Sequence, residues 1–336
     1  MKKALLFVWI CCIVVSGCNT ASKETNEKTV PVSLILDTDL GPDYDDVGAM
    51  ALMHALADSG QVNILGTVSC NQHEMVVPCM DVLNTYFGRP GLLLGAPKGI
   101  NAPNLTTWHK DKWTEFLPAN YPHQIKNTSD APDAVSVYRK ILSEAEDGSV
   151  TICTIGFFTN LKGLLESDAD EYSNLPGKEL VTKKVKRLVS MACGFPQGRE
   201  FNVYCDVAAS VKVLTEWPTE IIFSGFEIGK EILTGTSVVK MDVENSPVVD
   251  TYKLCMAEGD FDGRMSWDQT AVLVSIKGYA PYYTIERGTV KITDEQGNND
   301  WTPDENGKHI RLIEKMPVSE VTGIIENYMK HQPLKK

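Results

Sequence analysis

Apolar and polar positions fall into two alternating kinds of segment along most of the chain. Residues 32–36, 62–68, 91–95, 150–155, 185–191 and 220–223 are short runs of mainly apolar residues, the length of strands buried on both faces. Between them, residues 47–57, 74–87 and 131–145 carry apolar positions at helical spacing. Strands alternating with helices predict an α/β fold. The expected form is an open, mostly parallel, Rossmann-like sheet with helices on both faces. Ligands of such sheets bind beyond the carboxyl ends of the strands. Residues 282–293, with Gly297 after them, predict a β-hairpin, and residues 318–329 a closing helix. The stretch 97–128 is rich in Pro and Asn and holds Trp108, Trp113, Phe116 and Tyr121, so it reads as an insertion or lid over a pocket. No internal repeat or Pro/Ser-rich linker divides residues 30–329.

The N-terminus departs from this pattern. Met1-Lys2-Lys3 is basic, and the apolar run 4–15 that follows is shorter than the ~20 residues a bilayer span needs. It has the length of a signal-peptide core and ends in Val15-Ser16-Gly17-Cys18, which resembles a bacterial lipobox. The expected layout is a lipoprotein signal peptide over 1–17, lipidation of Cys18, a polar flexible tether over 18–30 and one domain over 31–332. That layout implies a bacterial lipoprotein anchored to a membrane and facing the periplasm or the cell surface.

Composition narrows the partners. With 43% hydrophobic and 23% charged residues among 336, the chain is ordinary globular protein, which excludes disorder and a polytopic membrane protein. The net charge of −12 repels phosphate backbones and excludes a nucleic-acid partner. Outside the signal, Cys70, Cys79, Cys153, Cys193, Cys205 and Cys255 show no Cys-x-x-Cys spacing, so they read as buried free thiols rather than zinc ligands. Two glycosylation sequons, at Asn104 and Asn127, read as idle in a bacterial protein, and the acidic run 294–304 as a solvated hairpin tip.

The densest chemistry follows the first strand. Asp37, Asp39, Asp43, Asp45 and Asp46 fall within the ten residues DTDLGPDYDD. Carboxylates so crowded repel one another, and a hard cation is the usual remedy. The dipole of the following helix accounts for Asp45 and Asp46 but not for Asp37 and Asp39 at the strand end. An EF-hand fails, because Gly41 and Gly48 stand where ligands are required. A haloacid-dehalogenase-type phosphatase fits weakly, because Gly41 stands where Thr or Val belongs.

Asp37-Thr38-Asp39-Leu40-Gly41 followed by Asp45-Asp46 resembles the Asp-x-Asp-x-Gly-x-Asp-Asp signature of inosine-uridine nucleoside hydrolases. It is expanded by two residues after Gly41, which leaves open whether Asp43 or Asp45 takes the middle position. Four further segments agree in order. Gly66 to Asn71 is similar to the family's strand-end Asn segment, and Ile155 to Leu161 to its Gly-x-Leu-Thr-Asn turn. Met191-Ala192-Cys193-Gly194, leading to Glu200-Phe201-Asn202 and Asp206, resembles its Met-Gly-Gly and Glu-Phe-Asn stretch. Trp267-Asp268-Gln269-Thr270-Ala271 stands where the family has His-Asp-Pro-x-Ala.

The resemblance, which covers residues 33–271, implies a Ca²⁺ ion held by Asp39, Asp46, Asp268 and the backbone carbonyl of Ile155. It implies Asp39 as general base, and Asp45, Asn71, Glu200 and Asn202 on the sugar. Trp267 replaces a His that is a candidate acid for the leaving group; an indole donates no catalytic proton but stacks on a base. An Asn of the family's sugar site is also missing before Glu200, where Arg199 is the nearest replacement. His109 in the Trp-rich loop is a candidate donor, although an exposed loop His is the plainer reading. The implied activity is Ca²⁺-dependent hydrolysis of a ribonucleoside to base and ribose outside the cytoplasm, in nucleoside salvage. Two alternatives stand beside it: hydrolysis of another ribosyl compound, and a non-catalytic Ca²⁺-dependent nucleoside- or ribose-binding lipoprotein. Related hydrolases are commonly homodimers or homotetramers.

Overall fold

A computed structural model describes residues 30–99 and 101–334. The expected signal peptide, Cys18 and nearly all of the tether lie outside the described residues. In chain order the strands are β1 (Val32–Thr38), β2 (Val62–Ser69), β3 (Leu93–Gly95), β4 (Val150–Thr154), β5 (Val185–Met191) and β6 (Gln197–Arg199). They continue with β7 (Glu220–Ser224), β8 (Leu233–Thr234), β9 (Arg264–Met265), β10 (Tyr283–Ile292), β11 (Asn298–Pro303) and β12 (His309–Glu314). Ten of them form one sheet in the order β3-β2-β1-β4-β5-β7-β12-β10-β11-β6. From β3 to β12 every neighbour is parallel, and β10, β11 and β6 follow antiparallel. The remaining pair, β8 and β9, makes a separate two-stranded ladder.

The parallel part is covered on both faces, which is why its strands read as near-continuous apolar runs. Leu34, Leu36, Cys153, Val189 and Ile222 point to one face, under helices Asp45–Asp58 and Trp267–Lys277. Their neighbours Ile35, Ile152, Leu188 and Ile221 point to the other, under helices Ala134–Glu144, Thr159–Glu166 and Val207–Glu216. Helix Asp45–Asp58 begins two residues before the sequence pattern suggests, because Asp45 and Asp46 occupy its first turn, where the dipole favours negative charge. It is buried on almost every side. Its Gly48 lets it lie against helix Trp267–Lys277: a Cβ there would meet Gln269 Nε2 and Tyr252 Oη at 2.5 Å.

The C-terminal end differs from expectation. The hairpin expected at 282–293 exists as β10 and β11, but a further strand, β12, separates it from the parallel sheet. The stretch 97–128 carries helix Trp113–Asn120, with most of the remainder as loop. All six described cysteines are free; five are buried, and Cys205 is partly so. Among the described residues no helix is long and apolar enough to cross a membrane.

The chain runs outward from β1 to β2 and β3, then returns to place β4 on the other side of β1. That reversal is a topological switch point. The loops leaving β1 and β4 turn to opposite sides there and open a crevice at the carboxyl ends of the strands.

Candidate active site

Asp37 lies inside the sheet rather than in the crevice. Its carboxylate accepts hydrogen bonds from Tyr138 Oη (2.9 Å) and from Asn160 Nδ2 (3.1 and 3.2 Å), and Asn160 Nδ2 also donates to the Ser69 carbonyl (2.7 Å). Burial pushes Asp37 up to about 7 in spite of those donors. It therefore fastens the ends of β1 and β2 to the helix that follows β4. Next to it, Thr38 donates its hydroxyl proton to Asp46 and accepts from the Leu40 amide (3.0 Å).

Asp39 and Asp46 reach the crevice, where Asp45 and Asp268 join them. Carboxylate oxygens of Asp45, Asp46 and Asp268 all lie within 4.8 Å of one another. The Asp268 amide donates to Asp45 Oδ2 (3.2 Å), so the first turns of two buried helices meet at this point. Burial, and then repulsion by the neighbouring acids, raises Asp39, Asp46 and Asp268 well above the ordinary carboxylate range; burial pushes Asp45 up to about 7. Gly156, just after β4, makes room for Asp39, since a Cβ there would lie 2.5 Å from the Asp39 amide nitrogen.

The two-residue expansion of the acidic loop now has a structural account. Asp43 turns away from the cluster to pair with the Arg264 guanidinium, and Tyr44 is buried with its hydroxyl donating to Asp260 (2.6 Å). Asp45, not Asp43, is thereby the acid grouped with Asp46 and Asp268.

One side of the crevice is polar. Glu200 caps helix Phe201–Cys205, accepting from the amides of Asn202 (2.8 Å), Val203 (3.2 Å) and Cys193 (3.2 Å). Burial pushes it up to about 7. Asn202 Nδ2 donates to the carbonyls of Met191 (3.0 Å) and Ile155 (3.3 Å), which holds the ends of β5 and β4 together under the cavity. The other side is aromatic. Trp267 donates its indole proton to the Phe226 carbonyl (2.8 Å) and stacks on the Phe226 ring at 5.1 Å. Trp108 from the long loop meets Phe201 edge-on at 5.5 Å and stays 58% exposed. The cavity between the two sides measures about 210 Å³.

Of the residues given a metal, catalytic or substrate role in the sequence, Asp39, Asp45, Asp46, Ile155, Glu200, Asn202, Trp267 and Asp268 line this one cavity, together with Asp43 and Trp108. Asn71 does not. It is fully buried, with its amide spent on backbone: Nδ2 donates to the carbonyls of Asp39 (3.0 Å) and Leu105 (2.8 Å), and Oδ1 accepts from the amides of Leu105 and His73. In place of the expected sugar contact, Asn71 holds the acidic loop against the long loop. His109 also lies off the cavity, 3.6 Å from Glu258 and edge-on to Tyr44. Arg199 packs over the Tyr204 ring instead of entering the site. Arg264 and Phe226 line the cavity without having stood out in the sequence, while Met191, which opens the Met-Ala-Cys-Gly motif, lines it without a role having been given to it. Neither helical spacing nor motif marks Arg264 and Phe226, because each faces the crevice from the end of a different short element.

The donor set suits a hard divalent cation. It offers several carboxylates, all oxygen donors, in a buried pocket where the acids repel each other without a counter-charge. An oxygen-lined acidic floor facing an aromatic wall, at the switch point of a parallel sheet, describes a class of small-molecule site. The chain belongs to the family described as inosine-uridine preferring nucleoside hydrolase, whose model matches residues 34–321. A curated relative, an uncharacterized protein of Schizosaccharomyces pombe, is 29% identical over 196 residues; the match takes in 55% of this chain and 58% of that protein. The chain thus spans less than two thirds of that relative's length. Its fold is similar to that of a purine-preferring ribonucleoside hydrolase from Gardnerella vaginalis (TM-score 0.67, 14% identity, 89% of this chain and 99% of that one). It is also similar to the type III effector protein XopQ, solved in complex with adenosine diphosphate ribose (TM-score 0.65, 13% identity, 90% and 94%).

Proposed function

We propose that this protein is a Ca²⁺-dependent N-ribohydrolase that splits a ribonucleoside into base and ribose. The observation that carries the reading is one cavity with the acids Asp39, Asp45, Asp46 and Asp268 on its floor and Trp267, Phe226 and Trp108 on its wall. Ribose matches the first surface and a nucleobase the second. Asp39, Asp46, Asp268 and the Ile155 carbonyl would hold the cation, with Asp45 grouped beside Asp46 and Asp268. When bound, Ca²⁺ offsets the mutual repulsion of the acids, acidifies water and grips vicinal hydroxyls.

The chain's own groups do the rest. Asp39, an acid within the cavity and not committed to capping a helix, takes the proton of the attacking water. Glu200 and Asn202 orient the ribose. The carboxylates around the ring stabilise the positive charge that grows at C1′ as the bond to nitrogen breaks. Trp267 stacks on the departing base.

A second reading, hydrolysis of another ribosyl compound, draws on Trp267 standing where the family has His and on the adenosine diphosphate ribose bound by the effector of similar fold. In either case the protein is lipidated at Cys18 and works outside the cytoplasm, which the lipobox-like Val15-Ser16-Gly17-Cys18 supports; with a ribonucleoside as substrate, that location suits nucleoside salvage. The test is ribose release by the purified protein from purine, pyrimidine and nicotinamide ribosides, with Ca²⁺ and with chelator. Chelator-sensitive release is expected. Ca²⁺-dependent binding of nucleoside without any release would replace the hydrolase with a binding protein.

A further inference from the structure

The aromatic half of the cavity holds one positive charge. Among the described residues lining the cavity, Arg264 is the only cation. Its side chain is 11% exposed; Nη2 pairs with Asp43, and Nη1 lies 3.6 Å from Asp260. Its guanidinium carbon sits 5.4 Å from the centre of the Tyr44 ring and 5.1 Å from that of Trp267. Two acids and two rings thus fix the group beside the indole. Among the described residues, Nε has no partner although it is buried. Nε is too deeply buried to meet a ligand, but Nη1, at 3.6 Å, lies beyond hydrogen-bond distance of Asp260, and the guanidinium lines the cavity, so an acceptor carried in by a ligand can take a hydrogen bond from it. Asp43 and Tyr44, which hold the arginine, belong to the expanded stretch of the acidic loop, so expansion and arginine form one local device.

We propose that Arg264 stabilises the departing base, the task left open by the indole at position 267. The proposal rests on the hydrolase reading. Hydrolysis breaks the C1′–N bond, and both electrons leave with the base. A water oxygen forms the new C1′–O bond and gives a proton to Asp39. The base departs with added negative charge, and Arg264 donates a hydrogen bond to one of its ring nitrogens or exocyclic oxygens while keeping its own proton. The base then takes its proton from solvent. This assigns the substrate class: ribosides of neutral purines or pyrimidines that present such an acceptor. Asp43 and Asp260 are positioning residues that hold the guanidinium.

The test compares Arg264→Gln and Arg264→Lys with the unmodified protein at saturating Ca²⁺, on inosine and on p-nitrophenyl riboside, whose leaving anion needs little help. In Arg264→Gln, kcat on inosine is expected to fall about a hundredfold and kcat on p-nitrophenyl riboside less than about fivefold, the size of effect of removing one donor from a developing anion. Arg264→Lys should fall between them on inosine. The Ca²⁺-dependent rise in Tm should be the same in all three proteins. Equal losses on both substrates, or no loss on either, in variants that keep that rise would overturn the role of Arg264 while leaving the hydrolase intact. Failure of the unmodified protein to release ribose from inosine or p-nitrophenol from the other riboside would overturn the hydrolase reading and this proposal with it.

Discussion

Asp268 opens a buried helix within 4.8 Å of two other carboxylates, so its charge opposes folding until a cation offsets it. Asp268→Asn should therefore raise the Tm of the chelator-treated protein and weaken Ca²⁺ binding by at least about tenfold. Calorimetry with and without the ion checks both signs; a Tm that drops in chelator would mean the acid is a structural hydrogen-bonding group. Gly156 sets the position of Asp39 from below. Gly156→Ala puts a methyl 2.5 Å from the Asp39 amide and 2.9 Å from its Cβ. A displacement of that order costs about a hundredfold in kcat, with little change in KM, on any riboside the protein cleaves. At this scale the sequence was most informative about charge. The density of Asp37 to Asp46 and the order of the later motifs gave roles to eight of the cavity's residues, and the same segments carry Asp43, Met191 and Phe201 on its lining. Asn71 shows the other side, because an Asn at a strand end looks the same in sequence whether its amide meets a ligand or the Asp39 and Leu105 carbonyls. Arg264 was silent, since its meaning comes from Asp43, more than two hundred residues away in the chain.

Helix Ala134–Glu144 shows how one side chain ties down a loop. Arg139, 2% exposed, donates to both carboxylate oxygens of Asp170, to Ser167 Oγ and to the carbonyls of Ser173 and Leu175. Arg139→Ala leaves those carbonyls short of a donor and should cost about 2–3 kcal/mol in urea unfolding. Arg139→Lys should recover little, because an ammonium cannot reproduce the fork. A loss below ~0.5 kcal/mol would show that the loop finds other donors. The elements were legible where the period was strong. The parallel strands announced themselves as apolar runs because both faces are covered, and helix Asp45–Asp58 was off by two residues only at its acidic start. β12 was missed because His309, Ile310 and Leu312 are buried while Arg311, Ile313 and Glu314 are not, so its six residues alternate weakly and read as surface. β6, Gln-Gly-Arg, has no apolar residue at all and is a strand only through its pairing with β11.

For the whole molecule, two sets of buried groups respond to pH in opposite senses. Asp37, Asp45 and Glu200 sit at about 7 when folded, against about 4 in the unfolded chain. Without a cation, their contribution to stability is full at about pH 4 and is lost as the pH rises through 7. Burial holds His54 at about 3 and His309 at about 4, below the ~6.5 of an unfolded histidine. Their contribution is full above pH 6.5 and is lost as the pH falls toward 4. In chelator, Tm should therefore fall between pH 5 and 7.5. With saturating Ca²⁺, which competes with the protons of the site acids, it should rise over the same range. Thermal scans at five pH values decide it, and two parallel profiles would separate the ion from the buried acids. The position of β12 has a further consequence, for the order in which the molecule can be built. This strand bridges β7 and β10, and through β10 and β11 it anchors β6, the strand that leads into Glu200. Ribosomal synthesis delivers the acids around Asp39 first and His309–Glu314 more than two hundred residues later, so the ladder from β10 to β6 joins the parallel strands only through a late strand. A nascent chain stalled before His309 holds the acidic floor of its pocket and the bonds of Asn202 to the ends of β4 and β5, but it lacks the strand through which β10, β11 and β6 join the parallel sheet.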